Sequence, residues 1–227
     1  MIPLKDDNPT SSRPIVTYFL IGMCVVVFLM QLGSQSYRTG QLFYSYGLIP
    51  SVLMGHDQLP MDLYAVPAYL TIFSSMFMHG GWIHLIGNMW YMKIFADNIE
   101  DNLGSRNFII FYILCGIGAA MAQVLMDTHS QVPMVGASGA IGGVLGAYLI
   151  NHPNARVLVI IPYIILTIIK IRALYVLGFW FILQFISSGG GVAYAAHIGG
   201  FVSGMILILF FNKKTKRKTK VIKGPWS

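Results

Sequence analysis

The chain has 227 residues, of which 56% are hydrophobic and only 10% are charged, with a net charge of +7. A soluble domain carries roughly 25% charged residues, so the composition excludes a soluble protein and predicts an integral membrane protein. The positive charge does not indicate nucleic-acid binding, because its densest run, residues 213–220, directly follows the last apolar segment. Such a cluster is typical of an anchor at the cytoplasmic membrane surface that contacts anionic lipid.

Six apolar segments are each predicted to form a membrane-spanning helix, for which about 20 residues suffice. They are residues 15–32, 73–95, 108–126, 137–150, 174–186 and 195–211. The sequence therefore predicts an all-α polytopic membrane protein with six transmembrane helices. Its domain organisation would be a short cytoplasmic tail over residues 1–14, a helical membrane domain over 15–211 and a basic cytoplasmic tail over 212–227.

Three segments between the predicted spans are less regular. Residues 33–70 are mixed in polarity and are expected to form either a half-buried flap in the membrane interface or a simple surface loop. Residues 97–106 are predicted to be a charged turn. Residues 151–172 are expected to form an interfacial helix or to lengthen the fifth span.

The basic residues predict the orientation of the spans. If the amino terminus is cytoplasmic, Arg38 is the single outer residue among the 15 Lys and Arg residues. Basic residues are strongly favoured on the cytoplasmic side, so six spans with both termini in the cytoplasm are expected.

A serine among small residues opens the fourth span, in the run Gly136-Ala137-Ser138-Gly139. Gly136 and Gly139 remove side-chain bulk around the serine oxygen, so that a substrate or another backbone can approach it. In the predicted topology His197 opens the sixth span at the same depth as Ser138. His84 and Asn88 lie at that depth in the second span.

These four residues supply the parts of a serine hydrolase. A serine hydroxyl needs a base to take its proton, and the imidazole of His197 could do so. The Asn88 amide, the His84 ring and the Ser138 backbone N–H could donate to an oxyanion. Because no acidic residue lies near Ser138 or His197 in sequence, apart from Asp127 in the loop before the fourth span, a dyad is expected rather than a triad.

Small residues four apart predict close approach of the helix backbones. The pairs are Gly139 and Gly143, Gly142 and Gly146, and Gly200 and Gly204. On their own these glycines indicate helix packing and no chemistry.

Together, these motifs resemble those of the rhomboid intramembrane serine proteases, in particular the compact six-span bacterial type. The resemblance covers residues 15–211. The motifs that carry it are Gly136-Ala137-Ser138-Gly139, Ala196-His197-x-x-Gly200-x-x-x-Gly204, His84-x-x-x-Asn88 after His79-Gly80-Gly81-Trp82, and Glu100-Asp101-x-x-Gly104.

The resemblance implies a role for each matching position. Ser138 would be the nucleophile and His197 the general base, while His84 and Asn88 would form the oxyanion hole and His79 would support the site. No cofactor is implied. The substrates would be single-span membrane proteins in a bacterial plasma membrane, entering past the fifth span and the segment after the first.

One position departs from the family pattern. Many members carry an aromatic residue four positions after the serine, stacked on the histidine, and this chain has Gly142 there. Either another ring, such as Tyr194 or Phe179, would hold the imidazole, or the histidine would be held less firmly.

Other functions remain open from sequence. A non-catalytic relative that binds membrane-protein clients is the first alternative, although such proteins generally lack the serine or the histidine. A transporter or channel would show charged residues within its spans or repeated halves, and neither is found. His79, His84 and His197 could gather a zinc ion, but no carboxylate accompanies them, so no metal is expected. Neither the oligomeric state nor the physiological substrate is predicted.

Overall fold

The structure is a computed structural model that describes residues 1–34, 36–161, 167–186 and 193–211, with only the backbone of residues 36–39. Helices dominate this part of the chain. In order, they are α1 Ile15–Gly33, α2 Ser36–Tyr46, α3 Pro50–Leu53, α4 Thr71–Ser74, α5 Trp82–Leu103, α6 Ser105–Met126, α7 Ser138–Asn151, α8 Ala173–Ile186 and α9 Tyr194–Phe211. Short 3₁₀ helices, Ala68–Leu70 and Ser75–Phe77, flank α4.

Helices α1, α6 and α9 are each long and apolar enough to cross a bilayer. Helices α7 and α8 are apolar but have only 14 residues each. The predicted first, third, fourth, fifth and sixth spans each coincide with one of these helices to within three residues. The prediction of a predominantly helical membrane fold is therefore confirmed, whereas the count of six spans stays a prediction.

The second predicted span is displaced along the chain. Helix α5 begins at Trp82 rather than at Phe73, which lies in the separate short helix α4. It also continues to Leu103, so the prediction of a charged turn over residues 97–106 is wrong for most of its length. The helix tolerates these polar residues because Glu100 and Asp101 find hydrogen-bond partners near the start of the chain. Gly104, at φ 76°, ends it.

Residues 151–172 form neither of the two predicted alternatives. Strands β2 Arg156–Ile161 and β3 Thr167–Arg172 pair antiparallel. Both are rich in Val and Ile, whose branched side chains favour extended backbone over helix. A third strand, β1 Ile2–Asp6, lies within the predicted amino-terminal tail and pairs antiparallel with β2, giving the sheet order β1-β2-β3.

Asp6 connects this sheet to α5 and α7 by hydrogen bonds. Its carboxylate accepts hydrogen bonds from the Tyr148 hydroxyl at 2.5 Å and from the Asn98 amide at 2.9 Å. Burial raises the pKa of the Asp6 carboxyl above its ordinary value. The sheet therefore covers the ends of α5 and α7 that lie away from Ser138.

The segment after α1 is partly buried, as expected for the flap alternative. Leu48 and Ile49 are almost fully buried. Leu48 and Met134 exchange both of their backbone hydrogen bonds, at 2.8 and 3.0 Å. This pairing connects the segment to the loop that leads into α7, whereas Met61 further along is 94% exposed.

The closest helix contacts join α6, α7 and α9 at glycines. A β-carbon added at Gly204 would lie 2.6 Å from the Cα atom of Gly143, and one at Gly200 would overlap the backbone of Gly139. A β-carbon at Gly146 would overlap the backbone of Phe201. Because no side chain separates these backbones, the beginnings of α7 and α9 are held at a fixed short distance.

Candidate active site

The chain reaches Ser138 through a tight bend at Gly136. Gly136 has φ 131°, a conformation that favours glycine, and its N–H donates to the Ser75 carbonyl at 2.8 Å. A β-carbon at this position would lie 2.8 Å from the ring of His84. Both the backbone angle and the lack of space therefore require glycine here, and Ser138 begins α7 immediately after the bend.

Ser138 and His197 lie within hydrogen-bond distance of each other. The Ser138 Oγ atom is 2.8 Å from Nε2 of His197, which lies in the first turn of α9. The close approach of the two helices at Gly139 and Gly200 sets this distance. A hydroxyl facing an imidazole nitrogen is the arrangement in which a serine can transfer its proton.

A third residue contacts this pair that the sequence analysis did not predict. Nδ1 of His197 lies 2.7 Å from Oε1 of Gln184, on α8. Gln184 is a buried amide in an otherwise apolar helix. Polar side chains inside membrane segments are commonly functional, and this signal alone could have drawn attention to Gln184.

The aromatic side chain facing His197 comes from α8. The ring of Trp180 lies 5.8 Å from that of His197 at an interplanar angle of 36°, and Tyr194 approaches edge-on at 6.3 Å. Phe179 is 45% exposed. A β-carbon at Gly142 would lie 3.0 Å from the carbonyl oxygen of His197 and 3.7 Å from the Trp180 ring, so a side chain at this position would meet both α9 and Trp180.

His84 and Asn88 place donors on the other side of Ser138. The backbone N–H of Gly80 donates to Nδ1 of His84 at 3.3 Å, so in the neutral ring Nε2 carries the hydrogen. The Asn88 Nδ2 atom is buried and finds no hydrogen-bond partner among the described residues. The N–H of Ser138 lies in the first turn of α7, where helix N–H groups lack intrahelical partners.

His79 lies behind His84. The two rings are 5.2 Å apart and nearly edge to face. The side chain of Gln31, on α1, exchanges two hydrogen bonds with the His79 backbone, at 3.1 and 3.2 Å. These bonds connect α1 to the segment that precedes α5.

Ser138, His197, His84 and Asn88 all line one cavity of about 820 Å³. The described residues around it are mostly apolar or glycine, and none of them is a carboxylate. The cavity therefore offers a hydroxyl, an imidazole and several N–H donors in apolar surroundings, where electrostatic interactions are stronger than in water.

Comparison with known proteins relates the whole arrangement to one family. The Rhomboid domain profile matches residues 67–214. The chain is 27% identical over 197 residues to the Rhomboid protease GluP of Bacillus subtilis, covering 86% of this chain and 34% of GluP. It is 28% identical over 160 residues to the Putative rhomboid protease YdcA of the same species, covering 65% of this chain and 69% of YdcA.

A plant protein shows a shorter match. RHOMBOID-like protein 5 of Arabidopsis thaliana is 33% identical over 78 residues, which are 34% of this chain and 25% of that protein. The chain thus spans about a third or less of the length of GluP and of the plant protein. The domain match covers more than half of the chain and includes both Ser138 and His197. The protein is an integral membrane protein, and it belongs to the rhomboid family of intramembrane proteases.

Proposed function

We propose that the protein is an intramembrane serine endopeptidase that hydrolyses peptide bonds in or near the transmembrane segments of single-span membrane proteins. The observation that carries the proposal is the 2.8 Å separation of Ser138 Oγ and His197 Nε2. Asn88 lines the same cavity, and its Nδ2 atom has no hydrogen-bond partner in the described part of the chain, which supports the assignment.

The first half of the reaction is acylation of Ser138. His197 Nε2 takes the hydroxyl proton while Oγ attacks the carbonyl carbon of the substrate. The carbonyl oxygen becomes an oxyanion and accepts hydrogen bonds from the Asn88 amide, the Nε2–H of His84 and the Ser138 N–H. The imidazolium then gives its proton to the leaving nitrogen as the C–N bond breaks, which leaves an ester on Ser138.

The second half restores the enzyme by hydrolysis. A water molecule attacks the ester carbon while His197 takes one of its protons. The same donors stabilise the second oxyanion. When the bond from carbon to Oγ breaks, the proton returns from His197 to Ser138 and the product carboxylic acid is released.

The surroundings of the site suggest how a substrate enters. Half of the residues of α8 are exposed, and the segment after α1 is only partly buried. We assign the control of lateral substrate entry to these two elements. The favoured substrate has a helix that unwinds locally and a small residue at the cut, because only an extended strand exposes its carbonyl to Ser138.

The topology and location are part of the proposal. Both termini would face the cytoplasm of a bacterial cell, in the plasma membrane, following the distribution of basic residues. The basic tail over residues 212–227, with its expected lipid contact, lies outside the described residues.

The test is cleavage of a single-span reporter by the purified protein in lipid vesicles. The parent protein is expected to cut the reporter, and Ser138→Ala and His197→Ala are each expected to leave it intact while they remain folded. Equal cleavage by Ser138→Ala would contradict the proposal. A folded parent that binds several reporters without cutting any would favour the client-binding alternative, to which the mainly apolar cavity is also suited.

A further inference from the structure

We propose that Gln184 is a positioning residue that holds His197 in the one tautomer able to accept the Ser138 proton. This inference rests on the proposed function for its consequence in catalysis. Its structural part, the assignment of the tautomer, can be tested separately.

The orientation of the Gln184 amide follows from its other partner. Gln184 Nε2 lies 2.7 Å from the backbone carbonyl oxygen of Trp180, four residues earlier on α8. A carbonyl oxygen can only accept, so the NH₂ group must face Trp180. The Oε1 atom is then the one that faces His197, at 2.7 Å from Nδ1.

The tautomer of His197 follows from the amide. Because Oε1 can only accept, Nδ1 of His197 must carry the hydrogen in this bond. A neutral imidazole has a single N–H, so Nε2 is left with its lone pair facing the Ser138 hydroxyl. Each group thus donates to the next, from Ser138 to His197, from His197 to Gln184 and from Gln184 to the backbone of Trp180.

The burial of Gln184 favours a single orientation of its amide. Gln184 is only 9% exposed, whereas its neighbours Leu183 and Phe185 are 36% and 64% exposed. A buried amide without partners is unfavourable in apolar surroundings, so the orientation that satisfies both ends is strongly preferred. The amide cannot turn over without losing both bonds.

Among the described residues, no charged group takes the place of Gln184. The hydrogen bonds and aromatic contacts of the His197 ring there involve Ser138, Gln184, Trp180 and Tyr194. His84 is the other titratable side chain on the same cavity. The amide therefore does what the carboxylate of a triad does for tautomer and ring orientation, but it brings no negative charge.

The chain offers a matched control for substitution of Gln184. The side chain of Gln123, on α6, also bonds α9, accepting from the N–H of Ala196 at 3.2 Å. That bond is next to His197 in sequence but does not involve its ring. Gln123→Met therefore removes a glutamine that supports the same turn of α9, whereas Gln184→Met removes the imidazole partner.

The experiment measures activity and tautomer in the same set of proteins. Cleavage of the single-span reporter gives kcat and KM across pH. Nitrogen-15 NMR of histidine-labelled protein in bilayers reports which ring nitrogen is protonated. The signal of His197, one of six histidines, is assigned from its loss in His197→Ala.

Gln184→Met is expected to lower kcat about 3- to 10-fold with little change in KM, because most of the population then has its proton on Nε2. Gln184→Glu is expected to restore most of that activity and to move the acid limb of the pH profile to higher pH, because a carboxylate also stabilises the imidazolium. In NMR, His197 is expected to carry its proton on Nδ1 in the parent and in Gln123→Met, and to divide between nitrogens in Gln184→Met.

The proposal is overturned if Gln184→Met loses no more activity than Gln123→Met, or if the His197 tautomer is the same in both. Should Gln184→Met not fold, the Gln184→Glu pH profile decides, since an unmoved acid limb would also overturn it. A parent that cuts no reporter but shows the tautomer change in Gln184→Met would contradict the proposed function and leave the positioning role intact.

Discussion

The carboxylate of Glu100 accepts hydrogen bonds from the backbone N–H and the hydroxyl of Thr17, both at 2.8 Å. It also accepts from the N–H of Val16 at 3.0 Å and from the hydroxyl of Ser105 at 2.5 Å. The side chain is only 1% exposed. A buried carboxylate at the start of α1 satisfies helix N–H groups that lack intrahelical partners and interacts favourably with the helix dipole.

Glu100→Gln is therefore expected to lower the free energy of unfolding by about 2–4 kcal/mol, because the new NH₂ group would face donors that it cannot satisfy. Asp101→Asn is the matched control. Asp101 bonds Ser11 and Ser12 at the exposed surface, where water can replace the lost bonds, so a change of about 1 kcal/mol or less is expected. Unfolding in mixed micelles with increasing denaturing detergent measures the stability of both variants. If the two variants lost the same free energy of unfolding, the stabilising role of the buried Glu100 carboxylate would be contradicted.

Gly204→Ala is expected to destabilise the protein by about 1–3 kcal/mol, because the added methyl group would overlap the backbone of Gly143 and force α9 away from α7. Separation of these helices would also lengthen the Ser138–His197 contact and lower cleavage activity at least about tenfold. Gly178→Ala, within α8, has open space around the new β-carbon and is expected to be neutral or slightly stabilising. Similar thermal stability and activity in the two variants would show that the glycine contact does not set the site geometry.

Gly136→Ala and Gly104→Ala separate backbone strain from damage to the site. Both positions have positive φ, at 131° and 76°, so both variants are expected to lose about 1–2 kcal/mol of stability. Only at Gly136 would the new β-carbon also collide with His84, whereas the space around Gly104 is open. Cleavage is expected to fall sharply in Gly136→Ala and to persist in Gly104→Ala. Equal activity would mean that His84 is not needed where it lies.

Asn88→Ala is expected to lower kcat about 10²- to 10³-fold without loss of stability. The Asn88 Nδ2 atom has no hydrogen-bond partner among the described residues, so its removal breaks no such bond in the resting protein. Asn102→Ala, at the other end of α5, removes an amide that contacts His152 at 2.7 Å and is expected to leave kcat unchanged. A large drop in the melting temperature of Asn88→Ala with unchanged kcat per folded molecule would assign Asn88 a structural role instead.

The elements that the sequence predicted best are those set by local composition. Apolar length located α1 and α6 to α9, and the small-residue motifs located Ser138 and His197 at the ends of two helices that contact each other. The three-stranded sheet was not predicted, because β1 and β2 are about 150 residues apart in the sequence and no local pattern reveals their pairing.

The residues behind His197 were harder to predict for a related reason. Trp180 and Gln184 lie in an apolar run whose pattern is that of an ordinary span, and their partners are defined only when α8 packs on α9. The lack of an aromatic side chain at Gly142 indicated that a ring from another position could pack on His197. It did not indicate that this ring would be Trp180 on α8.

The attachment of α8 gives the Gln184–His197 bond one more property. Helix α8 is secured at its beginning, where Ala173 is fully buried and its N–H donates to the Ala155 carbonyl at 2.8 Å. Gln184 lies about 16 Å further along the helix, so a tilt of about 10° around Ala173 moves it by about 3 Å. An outward tilt of α8 about its attached beginning would therefore withdraw the Gln184 acceptor from Nδ1 of His197. Such a tilt would lower the basicity of Nε2, the nitrogen that faces Ser138, because the Nδ1–H group would lose its acceptor.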